Sequence, residues 1–142
     1  AERLYAQAYD EVARAGKDLA DGKLKNAAKK FARVLEWAES ATALDPAYHE
    51  AWNLAGYAAR KLGNYDKAFA AYGKCLALKP DYAPAREYLG EAWLDVGDPK
   101  KAREQLAMLE QLKADEEAKT LRAAIEAYEK AQSAKADTSA AK

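Results

Sequence analysis

Apolar side chains return along this chain at intervals of three and four, the spacing that puts them on one face of a helix. Leu4, Tyr5, Tyr9, Val12, Gly16 and Leu19 set the first such run, which predicts a helix over residues 2–20. Asp21-Gly22 breaks it. A longer run over 24–44 ends at Asp45-Pro46, because the residue before a proline avoids the helical region. Four further helices are predicted over 48–62, 65–78, 83–96 and 100–113, with Pro80-Asp81 between the second and third of these. A last helix is expected over 115–131. Asp115, Glu116 and Glu117 fill its first turn, where the helix dipole favours negative charge, and Ala118, Leu121, Ile125 and Tyr128 form its apolar stripe. From Gln132 to Lys142 the residues are mostly Ala, Lys, Ser and Thr without apolar periodicity, so this tail is expected to fray or be disordered. The pattern is all-α, with seven helices.

The pattern also repeats. Trp52-Asn-Leu-Ala55-Gly56-Tyr-Ala-Ala59 lines up with Arg86-Glu-Tyr-Leu89-Gly90-Glu-Ala-Trp93 at an offset of 34 residues. The same offset joins Gly63 to Gly97 and Ala68 to Ala102. Glycine and alanine recur in register because two helices cross closely only where side chains are minimal.

These residues resemble the tetratricopeptide repeat (TPR), whose pattern is W-x2-L-G-x2-Y, then A-x3-F, then P. The middle repeat supplies Trp52, Ala55, Gly56, Ala59, Ala68, Tyr72 and Pro80. The following one supplies Leu89, Gly90, Trp93, Ala102 and Leu106 and lacks the closing proline. A degenerate earlier repeat is legible in Val12, Ala15, Gly16, Leu19, Ala27, Phe31 and Asp45-Pro46. Its second helix is seven residues too long, two extra turns that contain Trp37 and are expected to project about 10 Å beyond the neighbouring helix. The resemblance implies a right-handed solenoid of helical hairpins, with three helix pairs and a C-terminal capping helix. One domain is expected over 1–132, with repeats at about 2–46, 47–80 and 81–114, a cap at 115–131 and a flexible tail at 133–142.

Composition narrows the function. Lys plus Arg and Asp plus Glu both total 23, so the formal charge is zero and a general nucleic-acid binder is not expected. No segment approaches the roughly 20 apolar residues of a membrane span. The single Cys excludes an intramolecular disulfide. Chemistry is sparse. His49 is the only histidine, at the junction before a helix beside Glu50, and reads as a solvated loop residue. Cys75 falls at a small-residue position facing a neighbouring helix and reads as a small hydrophobe. No serine has the nucleophile-elbow context, no glycine run has phosphate-loop spacing, and one Cys with one His cannot build a zinc site. No enzyme activity, metal or cofactor is expected. Lys23, Lys25, Lys29, Lys30 and Arg33 crowd the start of the long helix against its dipole, which reads as a solvated convex face or a contact for an anionic partner or membrane surface.

The resemblance implies a concave face lined by the first helix of each pair. Its ligand positions carry over to Asn53, Tyr57, Arg60 and Lys61 in the middle repeat and to Glu87, Glu91, Leu94 and Asp95 in the next, with Lys17 and Asp21 as polar candidates in the degenerate one. The spacing agrees. Trp52, Ala55, Ala59 and Leu62 form a packed stripe, while Tyr57, Arg60, Lys61 and Asn64 lie off it. Arg60 and Lys61 are expected to face the acids Glu87, Glu91 and Asp95. One TPR subclass holds chaperone C-terminal carboxylates with Lys, Arg and Asn; this chain has acids where bases are needed, so that ligand is not expected. The function expected is a scaffold or adaptor that binds a protein or peptide segment in its groove. The alternative is a self-assembling structural protein, a homo-oligomer built through open solenoid faces. A first residue of Ala1 and Ala/Lys-rich ends lean toward an exported, periplasmic bacterial protein after leader removal, with the cytoplasm as the other compartment.

Overall fold

The structure, a computed structural model, describes residues 1–140 of the chain. These form seven helices and, among the described residues, no strand. They are α1 (Glu2–Ala20), α2 (Leu24–Leu44), α3 (His49–Lys61), α4 (Tyr65–Leu78), α5 (Ala83–Asp95), α6 (Pro99–Gln111) and α7 (Asp115–Ala140). The hydrophobic period therefore located every helix, most of them to within two residues. The exception is α7, which runs on to Ala140, where a tail without helix was expected from 133; its residues 131–138 are exposed. High helix propensity of Ala, Lys and Gln carries the backbone on after the apolar stripe ends.

Contacts divide the chain into two compact units, Ala1–Tyr82 and Ala83 onward, and the division falls at the repeat boundary. In the first unit Ala8, Val34, Ala38, Leu54, Ala55, Ala58 and Ala71 form a core, extended by half-buried Tyr5, Val12, Leu35, Trp37 and Trp52. The two extra turns of α2 do not project. The 19-residue α1 is itself long enough to cover them, and Trp37 packs into this core. Ala15, Ala27 and Phe31 make a second cluster, on which Tyr57 packs. The second unit packs α5, α6 and α7 around Leu94, Ala102, Leu109, Ala118, Leu121 and Ile125. Small residues at the centres of these cores let helix backbones approach closely.

Two glycines set the tightest crossings. A Cβ on Gly56 would lie 2.7 Å from the ring of Tyr72, and one on Gly90 would lie 2.6 Å from Leu121 Cδ2. The 34-residue register predicts one role for both, yet their partners differ: Gly56 meets α4, Gly90 meets α7.

The turns follow one scheme. At Gly63 the amide donates to Arg60 O at 2.9 Å, and that of Asn64 donates to Ala59 O at 2.8 Å, the paired bonds of a Schellman stop. Gly63 has φ +79°, which suits glycine. Asn64 Oδ1 then accepts from the Lys67 amide at 3.3 Å and caps α4, so one residue closes a helix and opens the next. Gly97 and Asp98 do the same for α5 and α6. The α6–α7 turn has the same two bonds but places Lys113 at φ 58°, a conformation that strains a residue with a side chain.

Gly56→Ala should destabilise by about 1–3 kcal/mol, because the Tyr72 ring is rigid and wholly buried. Gly73→Ala, with nothing within 4 Å of its Cβ, should stabilise by about 0.5–1 kcal/mol through helix propensity. Urea unfolding of the two variants checks both signs. Lys113→Gly should add about 0.5–1 kcal/mol by removing the left-handed strain, read as a higher urea midpoint at unchanged slope.

Candidate functional site

Helix α3 has two unlike sides. Ala51, Leu54, Ala55, Gly56, Ala58 and Ala59 are buried, and nearly all of them are small. Asn53, Tyr57, Arg60 and Lys61 follow at steps of four, three and one, so they share another face of the helix. Arg60 is half-buried and Lys61 exposed. Tyr57 is half-buried with its ring edge on Phe31, centroids 6.2 Å apart, and the Lys61 ammonium lies 5.4 Å from the Tyr57 centroid. That is a cation over an aromatic face, rooted in the core of the first hairpin.

Asn53 was read from the sequence as a lining residue, and it is deeper than that. It is only 8% exposed, and its buried Oδ1 accepts no hydrogen bond. Nearly all buried polar atoms in proteins are paired, and this one is among the few that are not. No sequence signal distinguishes it from an ordinary exposed asparagine. Lys17 is exposed near the end of α1.

In the second unit Glu87 and Glu91 are half-buried and Asp95 is exposed at the end of α5. Leu94 was expected on the binding face but packs into the core instead, 8% exposed among Ala102, Leu109 and Ile125. It follows Glu91 by three residues and so shares the face of Glu87 and Glu91; its burial comes from the residues packed around it, not from its period. Glu87 and Glu91, one turn apart, share a face of α5.

The chemically capable groups are placed for packing. His49 is not a solvated loop residue: it begins α3, half-buried, with its ring edge against Tyr82 at 4.7 Å between centroids and Nε2 3.4 Å from Glu50. Burial pushes the Cys75 thiol up to about 12, opposed by a hydrogen bond from the Asn53 backbone N–H and aided by the charge of Glu50. A thiol held protonated in this way is a poor nucleophile. Burial, then the charges of Glu50, Glu2 and Asp45, raise the Tyr48 phenol beside it. Among the described residues no group of three or more His, Cys, Asp or Glu side chains could hold a metal ion, and no helix is long and apolar enough to cross a membrane.

The basic cluster at the start of α2 divides. Lys30 pairs with Asp18, and Arg33 Nη1 lies 2.9 Å from Glu11 Oε2. Glu11, which periodicity gave no reason to single out, is 3% exposed and also meets Arg14 at 3.4 Å. A carboxylate this deep requires such partners. Lys23, Lys25 and Lys29 remain exposed.

Comparison with known proteins agrees with this architecture. Residues 59–125 match a tetratricopeptide repeat family model. A tetratricopeptide repeat-containing protein of Caenorhabditis elegans, trd-1, is 33% identical over 93 residues, which is 66% of this chain but 12% of that protein's length. The type III secretion translocator chaperone SycD of Yersinia enterocolitica superposes with a TM-score of 0.64 at 19% identity, covering 93% of this chain and 85% of that one. PcrH, solved with the chaperone binding region of PopD, superposes at 0.61 and 20% identity, covering 93% and 96% of the two chains. At such identities the likeness is one of fold. The 34-residue register, the helical hairpins and the family match together make this chain a tetratricopeptide-repeat protein.

Proposed function

We propose that the chain is a binding module, a scaffold or adaptor that holds an extended peptide or protein segment against the polar face of α3. The observation that carries this reading is Asn53. A buried amide oxygen without a partner is a cost to the free protein, and a peptide N–H laid along α3 would remove it once the side chain turns outward to meet it. Tyr57 with Lys61 over its ring offers an aromatic and cationic anchor on the same face, and Arg60 adds a donor fork for a carboxylate or carbonyl. Lys17 on α1, in the same unit as α3, is a further lining residue of this proposal. The fold likeness supports it from outside: SycD has been solved with a peptide of the translocator YopD, at a TM-score of 0.61 to this chain.

The reading assigns the chain no catalytic step. Its one histidine packs edge-on against Tyr82 and its one thiol is buried, which favours the protonated form. A contact confined to one short helix face should be small, at or below about 1,200 Å² in total, with roughly micromolar affinity, about −8 kcal/mol.

Peptides selected by display on the folded chain, then titrated by calorimetry, test it. Arg60→Glu should weaken binding at least about tenfold, or 1.4 kcal/mol, with circular dichroism checking that the variant is folded. Tyr57→Ala is the poorer variant, since it also removes packing on Phe31. Equal affinity of wild type and Arg60→Glu for every selected peptide would contradict the α3 site.

A further inference from the structure

The outward face of α2 carries a charge pattern that its own unit leaves mostly unpaired. Lys25, Lys29, Ala32, Glu36, Glu39 and Ala43 are all exposed and follow at steps of four, three, four, three and four. That spacing keeps them on one straight stripe of the helix, the period by which helices pack along their length. The stripe is basic in its first half and acidic in its second. Lys25, Lys29 and Glu36 make no ion pair within the described residues, while Glu39 meets Lys67 at 3.1 Å in an exposed pair.

The order is close to palindromic in charge. Positions 25 and 39 lie seven residues to either side of Ala32, and 29 and 36 lie three before and four after it. Turned antiparallel about Ala32, a second α2 brings its Glu39 to Lys25 and its Glu36 to Lys29, and by symmetry the reverse. This is the condition for a two-fold interface, in which one patch is complementary to itself. The smallest side chain of the stripe, Ala32, falls on the axis, where two helix backbones come nearest. Antiparallel packing also sets the positive end of one helix dipole beside the negative end of the other, which offsets the unfavourable lysines in the first turn of α2.

The apolar surface fits the same arrangement. Leu24 is a large apolar side chain left 64% exposed. The antiparallel register carries it opposite position 40 of the second helix. There a shallow hollow of about 420 Å³ is lined by Ala32, Leu35, Glu39, Ser40, Ala43 and Leu62.

We infer that the α2 face is a homodimerisation surface, whose partner is a second copy of this chain packed antiparallel along Lys25, Lys29, Ala32, Glu36 and Glu39. It lies on a different helix from the proposed peptide face. One pair of helices roughly 30 Å long buries less than the standard interface of about 1,600 Å². The dimer is therefore weak, and salt weakens it further because its ion pairs sit at the surface.

Sedimentation of the full chain tests it. The wild type should dimerise in low salt, with a dissociation constant that rises at least about tenfold on going to about 1 M salt, where the Debye length is about 3 Å. Lys25→Glu/Lys29→Glu and Glu36→Lys/Glu39→Lys should each be monomeric, and an equimolar mixture of the two should recover the dimer. Circular dichroism confirms that the variants are folded. Ala32→Cys gives an independent readout. Under mild oxidation it should form a disulfide-linked dimer, and the buried Cys75 should not compete. A wild type that stays monomeric near 1 mM in low salt, variants that dimerise like the wild type, or a mixture that stays monomeric would overturn the inference. Because none of these substitutions touches α3, peptide binding should survive them, so failure here and failure of the α3 site read out separately.

Discussion

The approach of α3 to α4 at Gly56 is the contact on which the first unit is built. The Tyr72 ring lies where a Cβ would be, so the two helices meet backbone to ring with no space left. Interiors are packed to crystal-like density, and such a contact leaves one relative placement of the helices. Ala51, Ala55, Ala58 and Ala59 extend the close approach along α3. With that side of the helix wholly spent on packing, Asn53, Tyr57, Arg60 and Lys61 must sit on the other. The candidate binding face follows from a crossing that contains none of its residues.

Most of the fold could be read from spacing. The 3.6-residue period located seven helices, and the recurrence of Gly56 at Gly90 and Gly63 at Gly97 exposed the repeat. What escaped did so for physical reasons. Lys113 takes the turn position that Gly22, Gly63 and Gly97 hold elsewhere, because a Schellman stop tolerates a strained residue, so glycine is a sufficient signal and not a necessary one. Trp37 was expected to project because only the length of α2 was counted; the length of α1, which covers it, matters equally. Leu94 fell on a carried-over ligand position, but its own apolar character placed it in the core. Burial of Asn53 depends on the neighbouring helices, which no local pattern encodes.

Charge shows a similar division between local and tertiary information. Five basic residues at the start of α2 look like one patch in sequence. In three dimensions Lys30 and Arg33 turn to Asp18 and Glu11 on α1, where Glu11 is too deep to be left alone. Lys25 and Lys29 are the members that stay on the outer stripe, and the acids that match them are about four and two turns further along the same helix. A net charge of zero thus hides a patterned surface.

The claim at the centre of this account is that α3 presents an incomplete site, a buried amide awaiting a partner beside an aromatic anchor. The most direct measurement is a set of 1H–15N correlation spectra of the labelled chain as a display-selected peptide is added. The account predicts that the Asn53 side-chain NH2 and the amides of Tyr57, Arg60 and Lys61 shift together and saturate at one dissociation constant. Saturation with these signals unmoved, and shifts confined to other helices, would contradict it.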